Sequence, residues 1–228
     1  DGLRMADPPN REVKNGFPGL SELRILGASV PEPRGVAHVH AYRGSGGSWR
    51  RLYVCTPTGY EKRRRPWPVL YLLHGSSDSD RDWLELGQAG EILDRMVAAK
   101  RDKPMLLVMS DGHPHLSLDV STRTNNLEAL ATDLRGLMML LVAKHNGASR
   151  RPSPRAIAGA SMRGVQALQL AALQPADSDA VAGFNAPGEA PSGPKVCQAW
   201  SSATGNRAGP RFWLACGQEH EFLPNAEE

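Results

Sequence analysis

The segment Gly159-Ala160-Ser161-Met162-Arg163-Gly164 constrains this chain more than any other, because of what flanks it. Arg155-Ala156-Ile157-Ala158 before it has the look of a short buried strand. Val165-Gln166-Ala167-Leu168 after it belongs to a helical pattern running from Met162 to Leu173. A serine on so sharp a strand-to-helix turn is held out at the carboxyl edge of a sheet, where the next amide and the helix N-terminus face developing negative charge. Such a turn needs small residues two before and two after the serine. Gly159 meets the first condition and Arg163 breaks the second. A long side chain at 163 is expected to leave the tight strand–helix contact, toward solvent or over the site, and to disturb the turn.

A second constellation lies upstream. Val69-Leu70-Tyr71-Leu72-Leu73 is an apolar run of strand length, typical of a parallel strand buried on both faces, and it stops abruptly at His74-Gly75-Ser76-Ser77. A glycine among small residues lets backbone amides approach an oxyanion, the other half of an acyl-transfer site; the competing reading is a plain glycine turn. The rest of the chain fits around these two strands. Val36 to Tyr42 and Arg50 to Thr56 alternate about Gly44-Ser45-Gly46-Gly47-Ser48, a hairpin pattern. Gln88 to Lys100 and Leu127 to Lys144 carry apolar residues at helical spacing. Met105 to Met109, Ala180 to Phe184 and Arg211 to Cys216 read as strands. Alternating strands and helices predict an α/β fold with a mostly parallel, doubly wound sheet, ligands binding beyond the strands' carboxyl ends. His74, Ser161 and Gly217 all fall there.

At 228 residues, 40% hydrophobic and 22% charged, the chain can build one sizeable core. Residues 1 to 34, interrupted by Pro8-Pro9, Pro18-Gly19 and Pro31-Glu32-Pro33, read as an irregular lead-in, and 35 to 228 as the domain. A net charge of +3 gives no nucleic-acid footprint, and the basic run Lys62-Arg63-Arg64-Arg65 reads as a solvated turn between strands. No apolar stretch reaches the ~20 residues that span a bilayer. Cys55, Cys197 and Cys216 fit neither a disulfide framework nor a zinc site. His38 and His40 share a strand face without a third ligand nearby, so no metal is called for, nor any cofactor. Nucleotide-binding fingerprints are absent.

Read in order, Pro68 to Gly75, Asp82-Trp83, Lys103-Pro104-Met105, Asp111-Gly112-His113-Pro114, Ala156 to Met162 and Leu214-Ala215-Cys216-Gly217 resemble the esterase-D-like family. The likeness runs from about Val36 to Leu223 and is closest to its feruloyl esterase and acetyl xylan esterase branch. It implies an α/β-hydrolase fold, a Ser-His-acid triad and hydrolysis of carboxylic esters, often those on plant cell-wall polysaccharide. A secreted or periplasmic location follows from the resemblance alone. The partner is then a small-molecule or polysaccharide ester, with neither nucleic acid nor membrane involved.

In this reading Ser161 is the nucleophile and the amides of Met162 and Ser76 form the oxyanion hole. His74, Trp83 and His113 border the substrate, Trp83 as a wall for an aromatic acyl group or a sugar. His113 and His115 precede Ser161, outside the chain order of a base in this fold, and have loop-structural roles as the other reading. The acid is expected in Gly217-Gln218-Glu219-His220-Glu221-Phe222-Leu223: aligning Phe222-Leu223 gives Glu221, and Glu219 is the alternative. The family's histidine lies tens of residues beyond its acid, whereas within these 228 residues only His220 follows Ser161. His220 as base, with Asp177, Asp179 or Glu189 as acid, is the substitute arrangement. A domain truncated at its C-terminal end, and inactive as it stands, is the resulting expectation. The other readings are a non-catalytic hydrolase-fold binding module or degenerate homologue, and a peptidase or acyltransferase on the same fold.

Overall fold

The computed structural model describes residues 34–62, 66–75, 78–111, 120–151, 154–186 and 211–217. The described chain opens with an antiparallel hairpin, β1 (Val36–Arg43) and β2 (Trp49–Thr56). Its turn is closed by Gly47 N–H donating to Gly44 O at 2.8 Å, with Gly47 at φ +81°, a value glycine adopts without strain. The later strands are β3 (Val69–Leu73), β4 (Leu106–Ser110), β5 (Arg155–Ala160), β6 (Ala180–Phe184) and β7 (Arg211–Ala215). All seven join one sheet in the order β1-β2-β4-β3-β5-β6-β7. The last five are mutually parallel, and β2 pairs antiparallel with β4.

This order fixes where a site can be. From β3 the chain steps to β4 on the hairpin side, then returns to β5 on the other side of β3 and winds outward through β6 and β7. The winding therefore reverses between β3 and β5. The crevice beyond the carboxyl ends of those two strands is where doubly wound sheets bind ligands.

Alternation along the central strands feeds two cores. Val69, Tyr71 and Leu73 of β3, with Leu106, Val108 and Ile157, pack beneath one helical layer. Leu72, Leu107, Met109 and Ala158 face the other. The second layer holds α1 (Asp82–Glu85) and α2 (Ala89–Ala98). On the first face lie α3 (Val120–Asp133), a wider turn over Leu134–Met138, α4 (Met139–Asn146) and α5 (Met162–Leu173). Each fully buried Leu or Val contributes about 1.5–3 kcal/mol, so this double burial is the main stabilising term.

The helix from Val120 to Asn146 begins seven residues before the sequence-predicted start at Leu127 and contains the wide turn. Leu130, Leu134, Met138 and Val142, each at 2% exposure or less, recur every fourth residue. A straight α-helix rotates such positions by about 40° per step, and the wider turn unwinds that drift so that one stripe stays on the sheet. The helix stops at Gly147, left-handed at φ +63°, whose N–H donates to Val142 O.

Candidate active site

Ser161 stands where β5 ends and α5 begins, with φ +52° and ψ −128°. A non-glycine residue in such a conformation costs on the order of 1–3 kcal/mol and persists only when its surroundings over-determine it. They do so here. Ser161 N–H donates to Phe184 O at 2.8 Å, and Ser161 O accepts from Gly164 N–H at 2.8 Å. A Cβ on Gly159 would come within 2.2 Å of the Arg163 carbonyl oxygen, so only glycine fits beneath the turn. The residue two before the serine thus has the role the sequence predicts.

Arg163 does not. Its side chain neither reaches solvent nor disturbs the turn: it is 1% exposed and bonded to Gln166 Oε1, one turn along α5. Burial pulls the guanidinium down to about 10, while the Asp111 carboxylate at the end of β4 raises it and Arg50 lowers it further. It remains a cation at neutral pH. Arg50 is itself buried, 3.1 Å from the Asp133 carboxylate at the end of α3, which also accepts Ser45 N–H at 2.7 Å from the hairpin turn. Tyr42 lies against the same pair, its hydroxyl pushed up to about 12, mainly by burial and then by Asp133. A buried polar cluster thus underlies the elbow, drawing on β1, β2, β4, α3 and α5. The sequence reading missed all of it except Arg163, because its members lie up to 121 residues apart, from Tyr42 to Arg163.

The loop after β3 faces the serine. A Cβ on Gly75 would sit 3.8 Å from Ser161 Cβ, so the backbone there lies against the serine's side chain. Asp78 shapes this loop, its carboxylate accepting Gly75 N–H at 3.1 Å and its own N–H donating to Gly75 O at 3.2 Å. An aspartate three residues after a glycine is a turn signal that could have been found. His74 is buried at 1% exposure and its Nδ1 pairs with Gly75 O at 2.7 Å, which makes it a strut of the loop. Beside it is a cleft of about 180 Å³ bounded by His74, Asp78, Asp82, Trp83 and Ala160 among others. Trp83, the aromatic ring that borders the cleft, is half-buried and meets Phe184 edge-on at 6.4 Å.

Met162, the one described residue of the expected oxyanion hole, is the first of α5, where the amide precedes any intrahelical partner. Ser76, His113, Glu219, His220 and Glu221 lie outside the described residues. At the carboxyl end of β7, Gly217 N–H donates to Asn185 Oδ1 at 3.0 Å, so the strand preceding the expected acid segment opens at the same edge as Ser161. Among the described residues no group of three or more His, Cys, Asp or Glu could hold a metal ion. Cys55 is buried and unpaired and Cys216 is a half-buried thiol.

A reversed winding order, a strained serine at the strand-to-helix bend and a facing His-Gly loop define an α/β-hydrolase of the ester-cleaving type. The model of the Esterase family matches residues 45–223, and the chain belongs to that family. Over 81 residues it is 33% identical to an endo-1,4-beta-xylanase/feruloyl esterase of Xylanibacter ruminicola, a stretch covering 34% of this chain and only 11% of that protein. Among solved structures, a ferulic acid esterase superposes with a TM-score of 0.60 at 24% identity, over 67% of this chain and 61% of the other. A CE1 ferulic acid esterase from Anaeromyces mucronatus gives 0.65 at 15% identity over 90% of each chain. The feruloyl esterase module from Clostridium thermocellum, solved with sinapinate, gives 0.68 at 15% over 86% and 72%. At these identities the structures establish the fold.

Proposed function

We propose that this chain's site is built to hydrolyse carboxylic esters through Ser161, on feruloyl or acetyl groups decorating plant polysaccharide. The observation that carries the reading is the strained Ser161 backbone, held against Gly75 at the point where the sheet's winding reverses. In the first half-reaction Ser161 Oγ attacks the ester carbonyl and gives its proton to a general base, and the carbonyl π electrons move onto oxygen. That oxyanion is received by the amides of Met162 and Ser76, each such donor supplying about 3 kcal/mol of transition-state stabilisation. Collapse expels the alcohol, which takes the proton back. Water then repeats the sequence on the acyl-serine and releases the acid.

Glu221 is the orienting acid in this proposal, with Glu219 as the alternative. Within these 228 residues His220 is the sole histidine after Ser161, placed in the acid's own segment. Trp83 borders the cleft beside His74 as an aromatic surface suited to a ferulate-type ring, and the feruloyl esterase names among the relatives support the same acyl class.

Two measurements test this. A fluorophosphonate probe followed by peptide mapping should label Ser161 in the wild-type chain and nothing in Ser161→Ala. Methyl ferulate, acetylated xylan, p-nitrophenyl acetate and a peptide run side by side should show ester cleavage alone. Labelling elsewhere, or ligand binding with no Ser161 adduct, replaces the reading by that of a binding module.

A further inference from the structure

The edge of the sheet opposite Ser161 carries a groove of about 580 Å³, lined by Tyr60, Trp67, Asn146, Arg150 and Arg151 among others. Trp67 precedes β3 and Ala148 runs parallel beside it, so the groove opens at the amino ends of strands whose carboxyl ends hold His74 and Ser161. With a rise of about 3.3 Å per residue along six-residue β5, the two places lie roughly 20 Å apart.

The floor is built. Trp67 N–H donates to Gly147 O and Ser149 N–H to Trp67 O, both at 2.9 Å, tying the two lining segments side by side. Trp67 is buried and supports Tyr60, its ring 5.5 Å away and inclined by 30°, so a half-exposed aromatic face is held in place above a covered one. Asn146 is 4% exposed, its carboxamide beside Tyr60 and His40. Arg150 and Arg151 stand exposed on the rim and make no ion pair among the described residues. Glu61 and Pro66 complete the lining, so the groove carries one carboxylate against two guanidinium groups.

We infer that this groove binds an acidic glycan, with a uronate carboxylate paired to Arg150 and Arg151 and a sugar ring against Tyr60. Guanidinium groups take carboxylates bidentately, and an aromatic face receives the C–H side of a pyranose. The choice of a glycan rests on the ester-hydrolase reading, whereas the preference for negative charge rests on the groove alone. A polymer held here keeps its substituents at high effective concentration near Ser161.

Calorimetric titration of the 228-residue chain with a glucuronate-substituted xylo-oligosaccharide, its unsubstituted counterpart and a single-stranded oligonucleotide decides the matter. The acidic oligosaccharide should bind saturably, at least about tenfold tighter than the neutral one, and weaken as salt is added. Arg150→Ala/Arg151→Ala should lose about tenfold in affinity, and Tyr60→Ala should weaken both sugars, with melting temperatures unchanged. Equal affinity for the neutral sugar, an unaffected double variant, tighter oligonucleotide binding or no binding at all overturns the inference. Fluorophosphonate labelling of Ser161 in the same samples keeps the two readings apart: binding without labelling removes the hydrolase and leaves the groove, and labelling without binding does the reverse.

Discussion

Arg163 carries a charge that folding has taken almost entirely out of water, two residues from Ser161. An isolated buried cation is costly, and this one is held by Gln166 and by the field of Asp111. Glycine at 163 restores the usual pattern around the serine, and the sequence alone recommends that change as a repair. The structure argues the reverse. Arg163→Gly leaves Gln166 without its partner and Asp111 with less compensation, and urea denaturation should show a loss of about 3 kcal/mol. Fluorophosphonate labelling of Ser161 should slow in the same variant. A gain in either would mean that the guanidinium strains the bend. Gly159 was legible because its constraint is local, four residues from the carbonyl that covers it; the destination of the Arg163 side chain was not, since its neighbours come from strands far away in sequence.

At the scale of elements, the seam between β1 and α4 holds a pH-sensitive contact. His40 of β1 faces His145 at the end of α4, ring centroids 5.8 Å apart, with His38 and Asn146 beside it. Burial first, then the charges of His145 and His38, lower His40 below its usual 6.5, against a raising contribution from Asn146. The unfolded chain therefore takes up a proton more readily than the folded one. Stability from this seam is fully present above about pH 6.5 and declines as pH falls through 6.5 toward the lowered folded value. Melting temperatures between about pH 8 and pH 5 should fall more steeply in the wild type than in His40→Gln. Identical slopes would place the acid sensitivity elsewhere. Strands and most helices were legible because burial imposes a period on their residues, two for the hairpin and about 3.6 for α2 and α5. The opening of α3, Val120-Ser121-Thr122-Arg123-Thr124-Asn125-Asn126, has no apolar stripe and gave no such signal. The wide turn was encoded as the four-residue recurrence of Leu130, Leu134, Met138 and Val142, a spacing that periodicity arguments absorb into an ordinary helix.

Across the whole molecule, the buried cluster makes distant parts answer to one another. Asp133 closes α3, pairs with Arg50 of β2 and grips the hairpin turn at Ser45, and Arg50 in turn opposes the charge of Arg163 beneath Ser161. Asp133→Asn removes the only carboxylate that pairs with Arg50 among the described residues, and should cost about 3 kcal/mol. It should also retard Ser161 labelling more than Asp177→Asn, whose lost partner Arg135 is half exposed on the surface. Equal retardation by the two would confine the cluster to a stabilising role. The bend at Ser161 and its facing loop could be read from sequence because each is a short contiguous motif, whereas this wiring exists only once the sheet has formed. The twisted backbone at Ser161 has a last implication for the molecule as a whole. A glycine in its place would relax that bend and leave a sturdier protein, yet the chain keeps a serine there and bears the tension.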